Sequence, residues 1–186
     1  MKEFLSAYHP EPAAAIEPAQ LAQYQPTLPA DILALWQEYG FCQFNGGLLR
    51  LVDPALYRPA LTQWLGGERP HYVPLALSAF GDLFYYRQLT ETGADVCLLD
   101  PHYRRIATCA WSLADFFGEY LLDEEVREDV LRESLAQEAH VALGPLAPNE
   151  IYCFTPALAL GGAEELPYLT KGDAPTHLHL LFGLTQ

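Results

Sequence analysis

Between His71 and Ala110 the sequence is cut into four short apolar runs by clusters of turn formers, and few folds accept a chain punctuated this way. The runs are 71–77, 83–89, 95–99 and 104–110, and their joints hold Gly81-Asp82, Thr92-Gly93-Ala94 and Asp100-Pro101. Glycine, asparagine, aspartate and proline each favour a turn for its own backbone reason. Short apolar runs with such joints read as strands that double back on one another, so an antiparallel meander is predicted here.

The segments on either side add helices. Leu28, Ile32, Leu35, Trp36 and Tyr39 repeat with helical spacing. Thr27 is placed to cap that helix, Pro29 suits its first turn, Asp31 suits its positive end and Gly40 its stop. Phe41–Phe44 and Leu48–Val52 flank Asn45-Gly46-Gly47, which predicts a hairpin. A second helix follows Asp53-Pro54, with Tyr57, Leu61, Trp64 and Leu65 on one side. Ser112 with Asp115 three residues on resembles a capping box and opens a third. A longer helix is expected from about Glu124 to Ala142, burying Val130, Leu131, Leu135, Ala139 and Ala142. The tail alternates strand-like runs, Ile151–Phe154 and His177–Phe182, around a Gly161-Gly162 turn. The first 29 residues hold five prolines and predict an irregular arm with at most a short helix between Ile16 and Tyr24. Helices and strands mix without a β-α-β rhythm, so the fold class is α+β, helices packed on a mainly antiparallel sheet in two closely packed subdomains.

Charge limits the partners. Asp and Glu number 24 against 10 Lys and Arg, a net charge of −14. Direct nucleic-acid binding is disfavoured, because phosphate contacts need a cationic stripe. Attachment to anionic lipid is disfavoured on the same ground, and a basic partner is the electrostatically natural one. Pro10 and Pro12 interrupt the start before any signal-peptide core can form, and no uncharged stretch approaches a membrane span. Cys42, Cys97, Cys109 and Cys153 are widely spaced with apolar neighbours, as free thiols packed in a reducing cytoplasm would be. A cytoplasmic protein is the expectation.

Residues 115–138 concentrate the charge: nine carboxylates stand against Arg127 and Arg132, which leaves −7 in 24 residues. Glu124 with Glu128, Glu125 with Asp129, and Asp129 with Glu133 repel at helical spacing, each by about 0.2–0.5 kcal/mol. Such a run is either a solvated face or a field in use. His177 and His179 would share one side of a strand, a spacing that suits a metal, yet no third or fourth ligand follows at a recognisable interval. No phosphate loop, nucleophile elbow, H-E-x-x-H or C-x-x-C occurs. No cofactor, metal or catalytic residue is therefore expected.

Several stretches together resemble a known family. Leu28-Pro29 through Trp36 and Tyr39-Gly40, then Asn45-Gly46-Gly47-Leu48, Val52-Asp53-Pro54, Tyr57, Trp64-Leu65 and Ser78–Tyr85 resemble the GAD-like domain. The long stretch Leu143-Gly144-Pro145-Leu146 through Glu150-Ile151-Tyr152 and Pro156-Ala157-Leu158 to Gly161-Gly162, with His177–Leu181 beyond, is similar to the C-terminal domain of Tdi-type immunity proteins. The resemblance implies an N-terminal domain over 1–110 and an immunity domain over 111–186. It also implies a cytoplasmic immunity protein of the type VI secretion system that binds and neutralises a cognate antibacterial toxin, often a DNA-cleaving nuclease.

On that reading Glu124, Glu125, Glu128, Asp129 and Glu133 would supply an attractive field for a basic nuclease, with exposed Tyr120 as an aromatic anchor. The rival is a small hydrolase or toxin-modifying enzyme using Asp82 or Asp100 with His102, His177 or His179. Two of those histidines sharing a concave pocket with a carboxylate would favour the rival.

Overall fold

A computed structural model of the chain describes residues 1–11, 13 and 15–184. The predicted meander is present as β4 (Tyr72–Ser78), β5 (Leu83–Gln88), β6 (Ala94–Asp100) and β7 (Arg105–Ala110). The predicted hairpin, β2 (Gln43–Phe44) and β3 (Leu49–Leu51), joins it through β3 against β4. With β1 (Pro10–Glu11) paired to β2, the strands lie side by side in chain order as one seven-stranded antiparallel sheet.

Both faces of this sheet are covered. Along β5, Phe84 and Tyr86 face one apolar cluster while Leu83 and Tyr85 face another; Val96 and Leu98 alternate in the same way with Cys97 and Leu99 on β6. Helix α4 (Pro54–Trp64), capped by Asp53 Oδ1 accepting from the Ala55 amide at 2.9 Å, covers the second face. Helix α3 (Ala30–Tyr39) buries Ile32, Leu35 and Trp36 in the first cluster and ends at Gly40, φ 71°, as its spacing predicts. Its N-cap position is Pro29, not Thr27.

The N-terminal arm is more regular than its prolines suggest. Helix α1 (Lys2–Ala7) drives Phe4 into an aromatic group with Tyr8, Phe44 and Phe117, and the Tyr8 hydroxyl donates to the Leu121 carbonyl at 2.8 Å. Helix α2 (Pro18–Ala22) lies within the stretch where a short helix is expected.

The second half wraps this sheet. Helix α5 (Leu113–Gly118) is opened by Ser112, whose Oγ accepts from the Asp115 amide at 3.0 Å. It delivers Phe116 and Phe117 to the cluster that holds Phe4 and Phe84. Strands β8 (Glu150–Phe154) and β9 (Leu169–Asp173) form a separate two-stranded sheet. One apolar core thus receives side chains from the helical arm, the large sheet and β8–β9.

Two expectations are corrected. The helix foreseen over Glu124–Ala142 is interrupted: a π-turn at Val126–Val130 gives way at Arg132, φ 53° and ψ 49°, before α6 (Glu133–Leu143) begins. Leu131 and Ala139 are buried as foreseen, but Ala136 replaces Leu135 and Ala142 as the deep contact, because the break rotates the face presented to the core. The run His177–Phe182 lies in α7 (Ala174–Gly183), not in a strand. Asp173 caps it by accepting from the Thr176 amide at 2.9 Å, and Pro175 sits in the first turn, where its missing N–H is harmless. Leu178 and Leu181, three apart, are its buried pair.

The break at Arg132 has a cause in the core. Its Nη1 donates to Asp82 Oδ2 at 3.0 Å and to the Val130 carbonyl at 3.0 Å, and its Nε donates to Glu164 at 3.0 Å. The guanidinium also lies over the Phe80 and Phe154 rings, at 5.7 and 5.9 Å. Burial works against the arginine's charge, and Asp82 and then Glu164 more than restore it. Replacing Asp82 with Ala is expected to destabilise the fold by about 3–5 kcal/mol, because Arg132 then keeps its burial without its main counter-charge. In a cycle of Asp82→Leu, Arg132→Met and their double variant, the double should lose less than the sum of the two singles in denaturant titrations. Additive losses in the cycle would deny the pair this central place.

Candidate functional site

The acidic run does not lie on one helix face. Asp123 Oδ1 accepts from the Glu125 and Val126 amides at 2.8 and 3.2 Å, which starts the π-turn. Glu124, Glu125, Glu128 and Asp129 are all exposed on this turn. Glu128 is held by Ser134, through both its hydroxyl and its amide. Glu133 is half-buried in an ion pair with Arg127 at 2.6 Å, so it closes the turn and projects little field. Of the five acids proposed from the sequence, Glu124, Glu125 and Asp129 are exposed and make no side-chain hydrogen bond or ion pair among the described residues.

Tyr120 is not the exposed anchor expected. Its ring stacks on Phe116 at 5.9 Å and meets Phe84 edge-on, which leaves it half-buried, and burial pushes its hydroxyl pKa well up. The exposed aromatic nearby is Trp111, 75% accessible, at the junction of β7 and α5. Sequence periodicity alone does not single Trp111 out. A signal was present: Trp111 falls between the last apolar strand residue and the Ser112 cap, where neither periodicity places it inside. Trp111 and Tyr120 line one cleft of about 320 Å³ with Asp115, Glu119 and Asp123, and no Lys or Arg lines it.

A second polar cleft, about 280 Å³, is lined by Asp82, Asp100, Arg105, Glu128, Asp129, Arg132 and Glu164. Its central groups already satisfy one another. Asp82 and Glu164 hold Arg132, and Asp100 accepts from the His102 and Tyr103 amides, both at 3.0 Å, and lies 3.4 Å from Arg105. The acid–base candidates of the rival reading are therefore employed in holding loops.

The histidines are only partly gathered. His102 and His177 rings lie 6.5 Å apart, and His102 Nε2 is 2.9 Å from the Phe80 carbonyl. His102 Nδ1 and His177 Nε2 are buried with no partner among the described residues. His102 is only 5% exposed, and no histidine of the three lines any of the principal clefts. His179 points elsewhere, against the Gln63 side chain. Since α7 is a helix, His177 and His179 diverge, and the metal spacing read for a strand is lost. No cluster of three or more metal-binding side chains occurs among the described residues. All four cysteines are free thiols, and burial pushes the Cys42 and Cys153 thiols up to about 12. Among the described residues no helix is long and apolar enough to cross a membrane.

Comparison with known proteins adds to this geometry. Residues 1–99 match the model of the GAD-like domain, and residues 112–185 match that of the T6SS immunity protein Tdi1, C-terminal. Among curated proteins no sequence matches. A crystal structure, that of Atu4351 from Agrobacterium tumefaciens, superposes over 98% of this chain and 88% of its own length, with a TM-score of 0.73 at 18% identity. At that identity the likeness speaks for the fold: the large antiparallel sheet, the small second sheet and the helices around them.

The half-buried His177 imidazole predicts a pH dependence. Burial, and secondarily the neighbouring His102, lowers the His177 pKa from 6.5 to about 4. The folded state then binds fewer protons than the unfolded one between those values. The stability contributed by neutral His177 is full above pH 6.5 and falls as pH drops toward 4, by at most about 1.4 kcal/mol per pH unit. His177→Leu should flatten the stability profile in that window, as read by denaturant midpoints at pH 7, 6 and 5. An unchanged slope would place the titration elsewhere.

Proposed function

The chain belongs to the GAD-like domain family and carries the C-terminal domain of type VI secretion immunity proteins; from this premise we propose that it neutralises a DNA-cleaving toxin by stoichiometric binding in the cytoplasm. The observation that carries the reading is the match over residues 112–185, which holds the acidic turn, Arg132 with Glu164, and the β8–β9 sheet.

Electrostatics supports a nuclease as the target. A DNA-cleaving enzyme presents cationic surface to its substrate. A protein of net charge −14, with Glu124, Glu125 and Asp129 unpaired on an exposed turn, is drawn to such a surface and competes with DNA for it. Attraction of this kind mainly speeds encounter, while lifetime depends on buried apolar contacts. The enzyme alternative gains nothing from the geometry, since Asp82 and Asp100 are committed to Arg132 and to loop amides.

The test pairs the protein with the purified product of the adjacent toxin gene. One-to-one binding with loss of DNA cleavage is expected. Changing Glu124, Glu125 and Asp129 together to Lys should slow association at low salt by about tenfold or more, with dissociation changed by less than about threefold. Association that stays fast at low salt would remove the acidic turn from the encounter. A toxin that is bound but cleaves no DNA would keep immunity and discard the nuclease.

A further inference from the structure

The two edges of the seven-stranded sheet are built differently. At one end β1 is two residues long and begins with Pro10, so it offers little for another strand to pair with. At the other end β7 is six residues long and without proline, and no described strand lies beyond it. Its one charge, Arg105, stands at its start, just after Arg104; from Ile106 to Trp111 the sequence Ile-Ala-Thr-Cys-Ala-Trp is uncharged. Ile106 and Trp111 are both exposed. An unpaired, uncharged strand edge that ends in a solvent-facing tryptophan is a surface that proteins normally shield, because it pairs readily with other chains.

The chemistry around Trp111 specifies what fits. The cleft beside the indole is lined by Asp115, Glu119 and Asp123 with no cation to balance them. A guanidinium or ammonium seated there meets an aromatic face and carboxylates together. At the far end Arg105 is already held by Asp100. A net charge of −14 opposes a second copy of this chain and favours a basic partner.

We propose that the outer edge of β7 accepts an extended segment of the cognate toxin as an added strand, with a Lys or Arg of that segment seated between Trp111 and Asp115, Glu119 and Asp123. The inference rests on the immunity reading and names the surface through which it acts. Trp111 supplies the anchor that half-buried Tyr120 does not, and the exposed acids of the neighbouring turn extend the same face.

The experiment measures binding of the purified product of the adjacent toxin gene to the wild type, to Trp111→Ala and to Leu180→Ala. Leu180 is an equally apolar exposed residue, on α7. Trp111 lies outside both apolar clusters, so its variant should keep the wild-type melting temperature. The Trp111→Ala variant should weaken binding by at least about tenfold, mainly through faster dissociation, and Leu180→Ala should not. The amides of Ile106–Cys109 should gain hydrogen-exchange protection in the complex. Wild-type binding that survives Trp111→Ala, with those amides unprotected, would overturn the inference and leave immunity standing. A β7-mediated dimer of this chain, with toxin binding unaffected by Trp111→Ala, would assign the edge to a second copy and overturn it equally. No binding of the toxin by the wild type would overturn the immunity reading and this inference with it.

Discussion

The Arg132 guanidinium, closed between Asp82 and Glu164 and flanked by Phe80 and Phe154, joins three parts of the chain that lie far apart in sequence. Asp82 stands at the β4–β5 turn, where the Ser78 hydroxyl donates to it at 2.6 Å and also accepts from its amide. Phe80 and Phe154 bring the large and the small sheet together, stacked at 5.5 Å. A charge held this deeply cannot be left unpaired, so the three segments are fixed relative to one another. The left-handed backbone at Arg132 follows from the same demand: a continuous helix would carry its side chain away from Asp82.

Covering both faces of the sheet shapes everything else. An antiparallel sheet can leave one face in water, and its strands then alternate apolar with polar residues. Here the strands are apolar on both sides, so helices must lie above and below. The arm that carries Phe4 and Tyr8, together with α3 and α5, serves one face, and α4 with α7 serves the other. Gly81, at φ 96°, turns the chain where a Cβ would come within 2.9 Å of the Ile151 side chain, which places β8 directly against the hairpin. The motifs of the family are, at these positions, instructions for packing.

That division leaves function to the periphery. Residues that settle the core, such as Asp82, Asp100 and His102, are committed to loops and to one another. The surface beside α5 combines an open strand edge, an exposed indole and carboxylates without counter-ions, and it shares the acidic turn that follows. An inhibitor needs a rigid scaffold and one adhesive face. On the proposed function, the Arg132 lock supplies the first, and the end of β7 with its neighbouring turns offers the second.

Much of the architecture was legible in the residues. Turn formers at Asn45-Gly46-Gly47, Gly81-Asp82 and Asp100-Pro101, with caps at Asp53 and Ser112, are local devices whose chemistry acts over a few residues, and each does what its type dictates. The family resemblance was legible too, because its signature is a run of such devices. Two stretches depart from their apparent periodicity, one because a distant partner outweighs local preference and one because a local cap does. The 124–142 run has helical periodicity, yet Asp82, fifty residues earlier, takes Arg132 out of it. His177–Phe182 alternates like a strand, yet Asp173 and Pro175 begin a helix whose Leu178 packs in one cluster with residues of α4 and β8. Which aromatic stays exposed beside the acids was likewise beyond the sequence. Tyr120 and Trp111 are both large and near the acids, and only packing against Phe84 and Phe116 decides which is withdrawn and which stays in water. The sequence by itself determined the turns, the cap at Ser112, the charge and the family; the tertiary structure decided which side chains remain free to meet a partner, because exposure depends on contacts that no local pattern encodes.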